Sequence, residues 1–285
     1  MFNDPPVFDW IATDACPLSA SRNAAEYFRR GHDQALCNAL REATRQHMRN
    51  FFASIVSFAL PPRCAGCGRI VEADLLFCVE CWQSLDLLSG QGCERCGTPT
   101  STGAAICGPC LHRPPDHDGA IAVTVYGELA RTISLKLKQG RKIGLAKLIA
   151  SLMHRRLPGE QGLLIPVPAH RWRLFRRGFN QSALIARHLS RLSGLPVQLD
   201  VLRRARATPM LKGANAQDRA RIVRGAFVVD RSLAADIAGR TVFLVDDVYT
   251  SGATANACAR ALKGSGAGKV IVLCWARVIL GEHAD

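Results

Sequence analysis

Four CxxC pairs crowd into residues 64–110: Cys64 with Cys67, Cys78 with Cys81, Cys93 with Cys96, and Cys107 with Cys110. Each of the last four cysteines lies 29 positions beyond its counterpart among the first four, so the segment is an internal duplication. Both halves open as CxxCG, through Gly68 and Gly97, where glycine permits a tight turn that lets backbone amides approach thiolate sulfur. Eight thiolates in two groups of four suit two tetrahedral four-cysteine sites holding structural zinc. Sequential pairing lets each repeat close its own site, although spacing also allows crossed pairing. Iron–sulfur ligation is the main competitor, because it too takes four cysteines. Two CxxC pairs about ten residues apart nevertheless resemble zinc ribbons more closely, and redox CxxC motifs belong beside a βαβ unit. So small a segment buries little core, which leaves metal to supply much of its folding free energy. His112 and His117 follow the last pair and are expected to be exposed loop histidines, since the thiolates already fill both sites.

A chain of 285 residues has room for one full domain beside this small one. Its 37 Lys and Arg against 23 Asp and Glu leave a formal charge of +14, which points to an anionic partner without naming it. No run of ~18 apolar residues exists to span a membrane. The opening MFNDPPVFDW lacks the basic and apolar regions of a signal peptide, so a cytoplasmic protein is expected. Twelve cysteines in a reducing compartment are metal ligands and buried thiols rather than disulfides.

Residues 1–47 read as an N-terminal extension, either disordered or not translated, with a weak helical pattern from about Ser21 to Arg45 and an alternative start at Met48. Residues 48–116 combine an apolar helix, bearing Phe51, Phe52, Ile55, Val56 and Phe58, with the cysteine repeats. LHRPPDHDG is a linker by its prolines and charges, and from 117 to 285 strand and helix patterns alternate. GAIAVTVYG, LLIPVPA, PVQLDVL, GAFVV, TVFLVDD and KVIVLCWARV read as strands. Helices fall in ELARTISLKLKQG, RKIGLAKLIASLMHRRL, NQSALIARHLSRLSG and ATANACARALKGSG. Alternation of this kind predicts an α/β fold, a parallel sheet with helices on both faces.

Within that domain, Val242 to Val245 form a short apolar strand that ends on Asp246 and Asp247. Next come Thr250, Ser251, Gly252, Ala253 and Thr254, small and hydroxylated, turning into a helix N-terminus where free N–H groups and the helix dipole favour phosphate. Ionised carboxylates just before such a cradle can accept hydrogen bonds from ribose hydroxyls. The stretch resembles the phosphoribosyl-pyrophosphate (PRPP) signature of type I phosphoribosyltransferases. HRWRLFRRGFNQ follows the LLIPVPA strand, with Arg171, Arg173, Arg176 and Arg177 interleaved by Trp172 and Phe175. This loop could grip the pyrophosphate of PRPP, or track a single-stranded nucleic acid and stack its bases. A second long loop, RRARATPMLKGANAQDRARIVRG, has the length of a lid. GSGAGK follows a helix and precedes a strand, so it is a helix-ending turn and no nucleotide loop. Cys258 and Cys274 are expected to be buried, inert thiols.

From Met48 onward the layout resembles the ComF-type competence proteins, through Cys64 onward, Pro166 to Pro168, Arg177 to Gln181, Ala226 with Phe227, and Asp246 to Thr254. Lys138 matches that family's lysine before a glycine turn. The resemblance implies a double zinc ribbon followed by a phosphoribosyltransferase-like domain that binds PRPP with Mg2+. Asp246 and Asp247 would position the ribose, residues 250–254 would hold the 5′-phosphate, and Arg177 with Lys138 would face the leaving pyrophosphate. It also implies a role in handling incoming single-stranded DNA. A second reading keeps the fold without turnover, as a module that binds single strands or docks a protein partner through the ribbons. Leu211 and Ile222 stand where the family carries glutamine and asparagine, which bears on the role of the second loop.

Overall fold

The computed structural model describes residues 38, 41–46, 48, 61–88, 92–100, 104–139, 142–170, 174–175, 177–206 and 225–279. The chain divides into two compact units, Met1–Pro61 and Pro62–Asp285. The described part of the first includes a helical stretch over 41–46, while most of the helix expected from Ser21 and the apolar segment 51–60 lie outside the described residues.

In the second unit the 29-residue duplication is repeated in three dimensions. An antiparallel bridge joins Arg63 to Ile70 in one half and Gly92 to Pro99 in the other. Short helices α1 (Val79–Gln83) and α2 (Gly108–His112) take equivalent places, each with the third cysteine of its repeat at the N-cap. Gly68 and Gly97 adopt the left-handed region, with φ of 86° and 72°. Their N–H groups close on the carbonyls of Cys64 and Cys93. Within these turns the amides of Gly66 and Cys67 approach the Cys64 sulfur and those of Arg95 and Cys96 the Cys93 sulfur. The amides of Cys78 and Cys107 add to them at 3.2 and 3.3 Å from the same Sγ atoms.

Four parallel strands build the sheet: β1 (Gly119–Val125), β2 (Leu163–Pro166), β5 (Thr241–Tyr249) and β6 (Lys269–Arg277), in the order β1-β6-β5-β2. Period-two alternation sorts β5 between two cores. Phe243 and Val245 pack with α3 (Glu128–Lys138), α4 (Leu145–His154) and α5 (Gln181–Ser193), whereas Val242 and Leu244 pack with α6 (Ala253–Lys263). All four are fully buried, each contributing roughly 1.5–3 kcal/mol, so the strand that carries the acidic pair is firmly anchored. α5 ends at Gly194 with φ 73°, as its sequence predicts.

Two strand expectations change. β5 does not stop at Asp247 but runs on through Tyr249, because β6 continues beside it and pairs Val248 with Ala276 and Tyr249 with Arg277. PVQLDVL and GAFVV do not join the parallel sheet. Their strands, β3 (Leu202–Arg204) and β4 (Phe227–Val229), pair antiparallel in a separate ribbon, and Val197 adds one isolated bridge to Leu164. The LHRPPDHDG segment is tied down rather than free to swing. Asp116 pairs with Arg260, and Asp118 accepts from Lys263 at 2.7 Å and from the Val270 amide at 2.8 Å. Among the described residues no helix is long and apolar enough to cross a membrane.

Candidate functional site

Each cysteine cluster brings its four sulfurs within 4.8 Å of one another, and the grouping is sequential: Cys64, Cys67, Cys78 and Cys81 in one, Cys93, Cys96, Cys107 and Cys110 in the other. Zinc–sulfur bonds of about 2.3 Å in a tetrahedron set sulfurs roughly 3.8 Å apart. Cys67 and Cys78 stand at 3.6 Å and Cys96 and Cys107 at 3.7 Å, so the donor sets fit one ion each. Thiolates on separate irons of a cluster would be more widely spaced. Burial works against the Cys64 and Cys93 thiolates, but backbone N–H groups together outweigh it, those of Cys78, Cys67 and Gly66 around the first and of Cys107, Cys96 and Arg95 around the second, and both thiols come down to about 6.

The acidic pair stands where the carboxyl ends of β5 and β2 meet the start of α5 and the end of α3. Pro166 pairs with Val245, and the Val167 amide continues the ladder to the Val245 carbonyl. Asn180 caps α5 by accepting from the Ser182 amide at 3.1 Å, and its side-chain amide donates to the Val167 carbonyl at 3.0 Å. That brace aims Ser182 at the site, where its hydroxyl donates to Asp246 Oδ1 at 3.1 Å. The same oxygen accepts from the Asp247 amide at 2.8 Å. From the last turn of α3, Lys138 places Nζ 2.5 Å from Asp247 Oδ2. Burial opposes the Lys138 ammonium, yet the adjacent Asp247 carboxylate more than offsets this and raises it above the ordinary lysine range.

Asp246 is half-buried, and its carboxyl is pushed up to about 7, first by lost hydration and then by repulsion from Asp247. Against an unfolded value near 4, the folded chain therefore holds the extra proton through that interval. Stability is then fully present below pH ~4 and falls as pH rises towards ~7. Thermal midpoints of the wild type should decline across this window relative to Asp246→Asn. Parallel curves would contradict the assignment.

Beyond the pair, Gly252 at φ 74° turns the chain into α6, which has neither a side-chain cap nor an acidic residue in its first turn. Thr250 is exposed, Ser251 and Thr254 are half-buried, Gly252 and Ala253 are buried, and Ser251 Oγ is buried with no hydrogen-bond partner. An anion placed there would meet unopposed N–H groups and the positive end of an 11-residue helix. Arg177 is half-buried just before Gly178, whereas Arg171, Trp172, Arg173 and Arg176 lie outside the described residues. So do residues 207–224 of the second loop, with Leu211 and Ile222.

Cys258 and Cys274 are buried, and burial raises both thiols. His112 is exposed as expected, but His117 is not. Fully buried, His117 sets Nε2 2.9 Å from the Tyr249 hydroxyl, and loss of hydration lowers it to about 4. Its partner lies 132 positions away, a contact no local pattern announces. Ser182 is within reach of sequence reasoning, as a hydroxyl in the first turn beside an N-cap asparagine.

Residues 55–111 match the double zinc ribbon domain family and residues 175–282 the phosphoribosyl transferase domain family. DNA utilization protein YhgH of Escherichia coli O157:H7 is 33% identical over 195 residues, covering 66% of this chain and 84% of that protein. Competence protein F of Haemophilus influenzae is 29% identical over 224 residues, covering 75% and 96%. Competence protein ComFC of Bacillus subtilis is 26% identical over 211 residues, covering 69% and 82%. Among solved structures, TT1426 from Thermus thermophilus is 17% identical, spans 49% of this chain and 86% of that one, and gives a TM-score of 0.30.

Proposed function

The chain belongs to the family of competence protein F and DNA utilization protein YhgH, a double zinc ribbon joined to a phosphoribosyltransferase domain, and from that premise we propose that it binds PRPP with Mg2+ and transfers its phosphoribosyl group. The observation that carries this reading is the uncapped start of α6 at Gly252, set directly after an acidic pair braced by Lys138 and Ser182. The 5′-phosphate would accept N–H groups of residues 250–254, while Asp246 and Asp247 would accept from the ribose hydroxyls. A nitrogen nucleophile would form a bond to the anomeric carbon as the bond to the pyrophosphate oxygen breaks. Arg177 and Lys138 would face the negative charge growing on that leaving group. Mg2+, arriving with PRPP, supplies charge neutralisation on the pyrophosphate. The remaining effect is positioning, so no general base is required of the side chains. Isothermal titration with PRPP and Mg2+ should give saturable heat that Asp246→Ala with Asp247→Ala abolishes, and equal affinity in the double variant would refute the site.

A formal charge of +14 and the names of the relatives favour a second reading, in which the protein handles single-stranded DNA in the cytoplasm. Arg171, Trp172, Arg173 and Arg176 are the residues proposed to hold the strand. Affinity for an oligonucleotide should then fall steeply with salt, and replacing the three arginines should flatten that slope. An affinity indifferent to salt would remove this reading. Exposed Ile70, Val79 and Trp82 on the first ribbon favour a protein partner docking there.

A further inference from the structure

Three buried side chains connect the second ribbon to the phosphate loop. Arg277, the last residue of β6, donates to the Cys96 carbonyl and, at 2.5 Å, to Thr98 Oγ1. Its guanidinium carbon sits 4.7 Å from the centroid of the Tyr249 ring. Tyr249 is itself held by His117, with ring centroids 5.7 Å apart in an edge contact. A Cβ at Gly252 would collide with the Tyr249 hydroxyl and meet its ring carbon at 2.9 Å, so the tyrosine packs flush against the residue that starts α6.

On the ribbon side the anchor lies among metal ligands. Cys96 Sγ is 3.2 Å from Thr98 Oγ1, and between them Gly97 presses on the Ala120 carbonyl so closely that any Cβ would strike it. A cavity of about 470 Å3 lies between this turn and the loop, bounded by Cys96, Thr98 and Cys107 on one side and by Thr250, Ser251 and Asn256 on the other. Arg277 and Tyr249 reach across beside that gap. A buried guanidinium that lost its two acceptors would have to move, because an unpaired charge inside a protein is costly.

We propose that the second ribbon is a positioning element of the ribose-phosphate site: with Cys93, Cys96, Cys107 and Cys110 metal-bound, the Cys96–Thr98 turn holds Arg277, and Arg277 with Tyr249 keeps Gly252 in its left-handed turn. The inference rests on the ribose-phosphate reading above. Coupling between two sites is reciprocal, so if the intact ribbon raises affinity for the ligand, the ligand tightens the ribbon's hold on its ion by the same factor. The first ribbon makes no such contact with Arg277 or Tyr249 among the bonds described; it docks through Lys136 on α3 to the carbonyls of Ala65 and Gly66.

Zinc release from the full-length, zinc-loaded protein to a coloured chelator tests this, with and without saturating PRPP and Mg2+. One of the two ions should leave about tenfold more slowly when PRPP is present, a size typical of such couplings. Arg277→Gln should still bind two ions and lose that protection, whereas Tyr249→Phe, which keeps the ring against Gly252, should retain it. Should Arg277→Gln fail to fold, Thr98→Val removes one of the two acceptors of Arg277 and should cut the protection well below the wild-type value. PRPP heat in the wild type with unchanged release of both ions, or full protection in Arg277→Gln or Thr98→Val, overturns the inference. Absence of PRPP heat in the wild type removes the ribose-phosphate reading itself, and this inference with it.

Discussion

Replacing Asp247 by alanine is expected to lower the unfolding free energy by about 3 kcal/mol, the low end for breaking a buried ion pair, and to abolish binding of PRPP. Asp247 has a side chain only 8% exposed, and Lys138 beside it is 28% exposed. Without the carboxylate, the ammonium keeps its desolvation penalty and loses its main counter-charge, though the part of Lys138 that reaches water softens the loss. Asp246 softens it further, because removal of its acidic neighbour makes it a better partner for Lys138. Lys138→Met should destabilise for the mirror reason, by leaving Asp247 buried without its cation. The two together should cost less than the sum of the single changes, since neither charge is then stranded. Urea unfolding of the four proteins measures this coupling, and strict additivity would mean the 2.5 Å contact carries no energy.

Stripping both ions is expected to unfold the ribbons outright. Structural zinc supplies roughly 10–16 kcal/mol of apparent binding energy per site, and the second ribbon's own buried cluster is little more than Cys93, Cys96 and Cys110 packed with Ile106 and Cys107. The four-stranded sheet draws on two separate aliphatic cores and should persist. Limited proteolysis of chelator-treated protein should therefore cut between residues 63 and 113 while fragments containing β1 to β6 survive. Cys93→Ser should lower the zinc content from two ions per chain to one. Resistance of the ribbon segment after complete metal removal would contradict this account.

Much of the fold was legible because its signals are local. The 29-residue offset marked two four-cysteine repeats, the structure settles their grouping as sequential where spacing alone also allowed crossed pairing, and a run of four apolar residues at 242–245 marked the strand that both cores share. What sequence left out depends on distant partners. β5 extends through Tyr249 only because β6 runs alongside it, and His117 is buried only because Tyr249 closes over it from a strand far along the chain. Arg277 reads as the basic end of a strand until the Cys96 carbonyl and Thr98 appear beside it. The acidic pair and the glycine turn were readable from composition, whereas the internal bonds of Lys138 and Ser182 to that pair were not, since α3 and α5 bring them in from more than sixty residues away.

The proposed function stands or falls with a ribose phosphate settling where the acidic pair meets the start of α6. Crystals soaked with PRPP and Mg2+ test it most directly. A phosphate group is expected within hydrogen-bond reach of the backbone amides of residues 251–254, with ribose hydroxyls donating to Asp246 and Asp247. A ligand bound elsewhere on the chain, with that loop left empty and the Lys138–Asp247 pair undisturbed, would contradict it.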